Sequence, residues 1–304
     1  MKRFIACLFS VAICNTLYSQ QDPQFSQNMF NRLQPNPATA GSNDAICAAL
    51  LYRSQWVSFE GAPKTGLLSV DMPVEFLHGG VGLTLMTDKL GVENTFNAKL
   101  AYALRFDVGP GKIAVGADVG ILQRSLDGTK FVYDNSVVDE LIPSSSVSGS
   151  KLDVGAGVYY NSEHFYIGGS TTHLLEGDIK YGNLTTEVKR HFYGMAGASF
   201  DLSPTVALKP SVFVKSVSPK TIYDFNLNIH FNNKFYGGVS YRTEDAIVAM
   251  LGFTVLQNLR IGYSYDITTS RIKDFSDGTH EISVGYCYKI RKKEPPLIRN
   301  VRFL

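Results

Sequence analysis

From about Ala45 to Ile290, apolar and polar residues alternate with a period of two. Between Tyr223 and Asn232, Tyr223, Phe225, Leu227, Ile229 and Phe231 fall on one side, and Asp224, Asn226, Asn228, His230 and Asn232 on the other. Leu259–Thr268 repeats this, setting Ile261, Tyr263 and Tyr265 against Arg260, Gly262, Ser264 and Asp266. The last such run sets Ile282, Val284, Tyr286, Tyr288 and Ile290 against Glu281, Ser283, Gly285, Cys287 and Lys289. Alternation of this kind means a strand with one apolar and one polar face.

About fourteen such strands are predicted, an even number of the kind found in bacterial single-chain barrels. They start near Ala45, Thr65, Gly80, Asn94, Lys112, Lys151, Phe165, Val188, Thr205, Thr221, Lys234, Ala246, Leu259 and Thr279. Most have roughly the 9–11 residues that a tilted strand needs to cross a bilayer. Their connections alternate in length. Short ones hold turn residues: Val108–Gly111, Asn161–His164, Leu202–Pro204, Asn232-Asn233 and Gln257-Asn258. Long ones are Gln55–Lys64, Thr87–Glu93, Asp127–Ser150, Leu174–Glu187 and Ser270–Gly278, with Val217–Lys220 and Thr243–Asp245 brief on the same rim. Short turns on one rim and long loops on the other predict an outer-membrane barrel with its short rim in the periplasm.

A soluble β-sandwich also alternates, but its two sheets must share an apolar core. Here the polar faces carry Lys99, Arg105, Asp118, Asp153, Lys209, Asp224, Arg260, Asp266 and Glu281, spread over many strands. One closed sheet places all of these in a wet lumen and turns the apolar rows to lipid. The expected fold is therefore a closed antiparallel transmembrane β-barrel with both termini periplasmic.

Lys2 and Arg3, then an apolar run from Phe4 to about Leu17, predict a cleaved signal peptide over residues 1–19. The run is shorter than the ~20 residues of a spanning helix, and no later stretch has that length. Residues 20–44, rich in Gln, Asn and Pro, form either a periplasmic leader or a plug folded into the lumen. Asp22-Pro23 predicts the start of a short helix with Phe25, Met29 and Leu33 on one face. The barrel is expected over 45–290 and a basic periplasmic tail over 291–304.

Composition changes this picture little. The net charge of +2 gives no broad basic surface for nucleic acid, while 19 Phe, 16 Tyr and 27 Gly suit strands and turns. Gly79-Gly80-Val81-Gly82 and Gly109-Pro110-Gly111-Lys112 lie in or between strands with no helix to follow, so neither is a phosphate loop. There is no Gly-x-Ser-x-Gly elbow and no Cys-x-x-Cys pair, and the six His lack metal-ligand spacing. His280-Glu281 puts neighbours on opposite faces of a strand, which argues against acid–base chemistry there. No catalytic residue, cofactor or metal is expected.

Two features invite a role. The loop with the only Trp holds Trp56, Phe59, Gly61, Pro63 and Lys64, an aromatic and a cation among turn residues that suit protein recognition. Trp56 equally suits the aromatic girdle at the membrane interface. Cys47 and Cys287 fall in the first and last strands, on the inward set and toward the periplasmic rim. A closed barrel makes those strands neighbours. Two readings stay open: a disulfide across the seam if the Cα atoms lie within about 7 Å, or two separate small lumen residues offset by shear.

Several motifs carry a family likeness. Gln21–Gln27, Asn36-Pro37-Ala38 and Ala40-Gly41 resemble the start of the PorP/SprF family of type IX secretion system membrane proteins. Tyr52–Val57, Phe59–Thr65, Thr87–Gly91, Phe165–Gly168, Ser240–Arg242, Asp245-Ala246, Ile261–Asp266 and Gly278–Ile282 are similar to that family in the same order. Thr39, where the family suggests an aromatic, and the basic tail depart from it. The resemblance implies an outer-membrane component of type IX secretion and gliding motility. Its implied partners are a secreted surface adhesin or other type IX cargo, and periplasmic secretion or motility components. The competing expectation is a transporter barrel for a small solute; an outer-membrane hydrolase is a distant third.

Overall fold

The computed structural model describes residues 22–130, 143, 145–256 and 258–289. The predicted signal peptide and basic tail lie outside the described residues, as do both chain ends. The strands are β1 Ala45–Ser54, β2 Lys64–Val74, β3 Gly79–Leu90, β4 Glu93–Val108, β5 Gly111–Asp127 and β6 Ser146–Ser162. They continue as β7 Phe165–Thr172, β8 Gly177–Tyr181, β9 Leu184–Val188, β10 His191–Ala198, β11 Phe200–Ser203 and β12 Val206–Val217. The last five are β13 Lys220–Phe231, β14 Phe235–Arg242, β15 Ala246–Val255, β16 Leu259–Thr268 and β17 Thr279–Lys289.

All but the β8–β9 hairpin form one antiparallel sheet, and β1 pairs with β17 to close it. β10 and β11 both pair with β12 and are successive parts of one pass, so the wall has 14 crossings. Closure leaves no open edge, the condition for a sheet surrounded by lipid. Leu50, Leu100, Val119, Ile167, Phe225, Leu227, Val239, Leu251 and Ile282 all stand exposed on the outer face. A belt of this kind is untenable on a water-soluble monomer and expected of a lipid-facing wall. Phe106, Phe165, Phe200, Phe231 and Phe235 are exposed at the short-turn rim, where an aromatic girdle belongs. The turns there are tight for a local reason. Asn232 and Asn233, for example, take positive φ of 51° and 52°, a conformation Asn tolerates better than most residues.

Strand count and facing follow the period-two pattern, but several boundaries do not. Thr87–Glu93 is not a long loop: β3 and β4 continue to a turn at Gly91-Val92. Asp127–Ser150 is shortened because β6 starts at Ser146, and residues 131–142 and 144 lie outside the described ones. Val188 does not start the eighth crossing; it ends β9, and the crossing begins at His191. These strands pair beyond the length a bilayer needs, and periodicity carries no mark of where lipid stops.

The seam is closed covalently as well as by hydrogen bonds. Cys47 sits opposite Cys287 in the β1–β17 register, with Cα atoms 4.1 Å apart, and the two form a disulfide. Six residues along the same ladder, Arg53 faces Glu281.

The lipid face is testable. Leu227 is exposed on the outer wall, whereas its neighbours Asn226 and Asn228 are buried inside. Leu227→Arg is expected to lower unfolding stability by about 2–4 kcal/mol if it lies near the bilayer midplane. Urea titration in detergent or liposomes measures this. A cost of that size at Asn226→Arg with none at Leu227→Arg would reverse the facing.

Candidate functional site

Fourteen inward-facing polar rows would leave many buried charges if the lumen were empty. Residues 22–43 fill it. The segment enters near the loop rim at Asp22 and leaves at the short-turn rim, where Asp44 pairs with Arg105 at 2.8 Å just before β1. It is not the expected helix. Only two single 3-10 turns form, Asn28–Phe30 and Pro37–Thr39. The backbone groups a helix would use internally are taken by the wall instead. The N–H groups of Ser26 and Gln27 each donate to the carboxylate of Glu281 at 2.8 Å. Pro35 and Pro37 add a further obstacle to helix.

The centre of the site is a clasp of two arginines and three carboxylates. Arg53 binds Asp266 at 2.8 Å and Glu281 at 3.0 Å. Arg242 binds Asp224 at 2.9 Å and Asp266 at 3.0 Å. All five residues are at most 1% exposed. The segment completes the network: Ser26 Oγ donates to Asp266 at 2.7 Å and accepts from Arg53 at 2.8 Å and Arg242 at 3.1 Å. Gln24 and Asn28 donate to Asp224 at 2.8 and 3.2 Å. Buried charges are stable only when paired and hydrogen-bonded on their remaining sites, and the segment supplies those last bonds.

Apolar contacts fix the segment between these bonds. Phe25 packs on Leu51, Leu67 and Met86; Leu33 and Ala40 pack on Ala103; Ala38 packs among Ala114, Tyr159, Tyr193, Met195 and Phe213. Two wall glycines make room. A Cβ at Gly80 would collide with the Ala40 carbonyl, and one at Gly116 with Ala38. Toward the loop rim, Ile179, Tyr181 and Val188 of the β8–β9 hairpin pack on Leu122 and Leu126 of β5.

The upper end of the segment is held by a second cluster. His173 bridges Asp22 and Asp153, each at 2.9 Å. His191 Nε2 accepts from the Asp22 N–H at 3.1 Å, and its other ring nitrogen lies 2.9 Å from the Lys189 carbonyl. Tyr193 donates to Asp22 at 2.7 Å, and Lys215 to its carbonyl. The ligand atoms of Asp22, His173 and His191 fall within 4.8 Å of one another, a meeting that sequence spacing cannot show. Every ring nitrogen there already has a partner, so the cluster is read as an anchor. Burial opposes charge on Asp22, but His191, His173 and Lys215 hold its carboxyl well below the usual range. Burial likewise opposes charge on His173, yet Asp22 and Asp153 raise it to about 9.

The other residues singled out from sequence are placed as follows. Lys99 and Asp118 lie buried in the lumen 3.6 Å apart, and Lys99 also reaches Asp153 at 3.0 Å. Arg260 lies in the lumen over the ring of Phe30, 4.0 Å from its centroid. Glu281 points inward while His280 meets the Tyr263 hydroxyl at 2.7 Å. The Trp56 loop is tied to its neighbours: Trp56 N–H donates to Thr279 Oγ1 at 3.0 Å, Val57 N–H to the Gly278 carbonyl at 2.8 Å, and Gly91 N–H to the Gly61 carbonyl at 2.8 Å. Phe59, Gly61 and Lys64 are exposed; Trp56 and Pro63 are half-buried. Sequence reasoning missed Ser26, Arg53 and Arg242 as the clasp. The motifs Gln24-Phe25-Ser26-Gln27, Tyr52-Arg53-Ser54 and Tyr241-Arg242 contain them, but nothing local says that they meet.

Two outcomes are expected. Arg242→Ala strands Asp224 without its cation, leaves Asp266 with Arg53 alone, and costs about 3–5 kcal/mol, read by thermal or urea unfolding; a change under about 0.5 kcal/mol, the size usual for a surface site, would mean the clasp holds nothing. The Asp22 anchor has a defined pH window. The His173 contribution is full below its unfolded pKa of about 6.5 and is lost as pH rises through about 9. The Asp22 contribution holds above its unfolded pKa and is lost only in strong acid. Hydrogen exchange at residues 22–30 should thus be slow at neutral pH and accelerate above about pH 9, with His173→Gln abolishing that step.

The fold and site bear on known proteins as follows. The chain aligns with the structure of a Pseudomonas aeruginosa FadL homologue at 12% identity and a TM-score of 0.51, covering 90% of this chain and 96% of that one. It aligns with the CymD monoaromatic hydrocarbon channel at 13% identity and a TM-score of 0.50, covering 89% and 94%. At such identity these likenesses concern the barrel fold alone. No curated protein sequence matches the chain. A family model for the type IX secretion system membrane protein PorP/SprF matches residues 17–286, nearly the whole described barrel and its lumen segment. The chain is an outer-membrane β-barrel that belongs to the PorP/SprF family of type IX secretion system membrane proteins.

Proposed function

We propose that this protein is a non-catalytic docking barrel of the type IX secretion system, serving protein export and gliding motility. Its loop rim holds a secreted surface adhesin or other type IX cargo, and its short-turn rim meets periplasmic components. The observation that carries this reading is the filled lumen. Residues 22–43 occupy it with buried ion pairs and apolar contacts, so the surfaces available to partners are the two rims. On the loop rim the 55–63 loop is hydrogen-bonded to the β16–β17 loop and to the β3–β4 turn. These three turns carry exposed Phe59, Phe275 and Leu90. Rigid loops that display apolar side chains are the usual makings of a protein contact.

A small-solute transporter is the alternative. It needs a path through the lumen, and the clasp stands across it.

Deleting the gene and profiling both surface proteins and nutrient uptake separates the two. Loss of a particular secreted surface protein is expected, and loss of a nutrient's uptake with secretion intact would establish the alternative. At residue level, Trp56→Ala and Phe59→Ala are expected to leave folding and insertion intact. They should weaken cargo retention on the order of thirtyfold if either residue is a hot spot of about 2 kcal/mol. Failed insertion with normal display from the remaining barrel would assign Trp56 to the membrane girdle instead.

A further inference from the structure

Positive charge is handled differently at the two ends of the lumen. In the clasp each arginine has carboxylate partners. At the short-turn rim, Arg32, Lys209 and Arg260 line one cavity of about 370 Å³, and none of the three makes an ion pair among the described residues. His230 lines the same cavity. Among the described residues the only carboxylate on its lining, Glu163, sits exposed on the β6–β7 turn and is paired with none of them; Asp201 and Asp71, off the lining, act on Lys209 and Arg32 without forming an ion pair. Arg260 Nε is buried without a hydrogen-bond partner. Three cations that face one another in a concave, partly dry site with no paired carboxylate repel, and an anion that enters relieves the repulsion.

The two guanidinium groups are held in a way that suits such a ligand. Arg260 stacks over Phe30 at 4.0 Å, and Arg32 over Tyr166 at 4.2 Å, to the ring centroids. Arg32 also donates to the Met29 carbonyl at 3.2 Å and to the Tyr159 hydroxyl. Stacking fixes the plane of a guanidinium and leaves N–H edges for a carboxylate, which it can bind with two parallel bonds. The donors here are side chains spread over the segment, β12 and β16, among aromatic rings. Among the described residues no α-helix N-terminus, the usual cradle for a phosphate, lines the cavity. The volume falls in the range of ordinary ligand sites, about 300–1,000 Å³, and the wall around it is continuous sheet, so a ligand reaches it from the short-turn rim.

We infer that this cavity is a binding site for neighbouring carboxylates on an acidic peptide segment of a partner protein, gripped by Arg32, Lys209 and Arg260. The inference deepens the reading of the short-turn rim as a docking face and rests on it for the segment's origin. Binding to the purified barrel tests the cavity itself, whereas cargo display in cells tests that reading, so the two can fail separately.

The test is calorimetric titration of the full-length protein, in an uncharged detergent, with a hexa-aspartate peptide. A second titration uses inorganic phosphate at matched ionic strength. Saturable 1:1 peptide binding is expected, weakened about tenfold or more by Arg260→Gln and by Lys209→Gln, the scale of one charged hydrogen bond. Lys89→Gln, an exposed cation on the opposite rim, should change nothing. Heat-modifiable gel mobility confirms that each variant is folded. Absence of saturable binding, or equal loss with Lys89→Gln, would overturn the site. Phosphate binding as tightly as the peptide would overturn the peptide assignment in favour of a small anion.

Discussion

The structure depends on one constraint: a closed sheet in lipid must satisfy its polar groups on the inside. The wall exposes apolar side chains to the membrane and therefore turns its charges inward. Arg53, Arg242, Asp224, Asp266 and Glu281 meet at mid-lumen, where three carboxylates face two cations. The imbalance is relieved by neutral donors, the N–H groups of Ser26 and Gln27 and the side chains of Gln24, Ser26 and Asn28. The wall and the segment thus specify each other. Without the segment the carboxylates keep only the arginine donors, and without the clasp the segment has no reason to hold an extended, largely non-helical path.

The segment serves as the core that a barrel of this size lacks. A β-sandwich buries the inner faces of two sheets against each other, whereas here one sheet surrounds a strip of some twenty residues. That strip must match the wall in shape as well as charge. Small residues meet where the backbone passes close, as Ala38 and Ala40 do against Gly116 and Gly80. Larger side chains fill the gaps, as Phe25 does against Leu51, Leu67 and Met86. The disulfide between Cys47 and Cys287 closes a loop of 240 residues in sequence separation, at the edge of the strand from which Arg53 and Leu51 project. Covalent closure and the clasp therefore act on the same seam.

Much of this was legible in the sequence because the side-chain period of a strand is two. The rows through Leu227 and Asn226, or Ile261 and Gly262, assign their own faces without reference to anything distant. Placing Cys47 and Cys287 on neighbouring strands and one face needed only closure, chain order and the alternation, whereas their register, and with it the bond, stayed open and is set by the pairing of β1 with β17. The family likeness rested on short motifs, and the model match over 17–286 spans them. What could not be read is of another kind. The contact of Ser26 with Asp266 joins residues 240 apart, and no periodicity encodes it. Asp22-Pro23 was an honest helix signal, overridden because Glu281 offers the next N–H groups better partners than a helix would. Thr87–Glu93 reads as a loop because its residues are polar, yet strands that run beyond the bilayer need no apolar face.

The distribution of charge along the lumen then gives the barrel a direction. Near the loop rim Asp22, His173, Asp153 and Lys99 form a chain of alternating sign, and at mid-lumen the clasp is balanced by donors. At the short-turn rim Arg32 and Arg260 rest on aromatic rings instead of carboxylates. Cation–π contact supplies about 0.5–2 kcal/mol and neutralises nothing, so the two guanidinium groups keep their positive charge in that cavity. Arg32 belongs to the segment and Arg260 to the wall. The same fold that seals the lumen therefore also builds the short-turn cavity, and a change that loosened the segment would alter that rim along with the core.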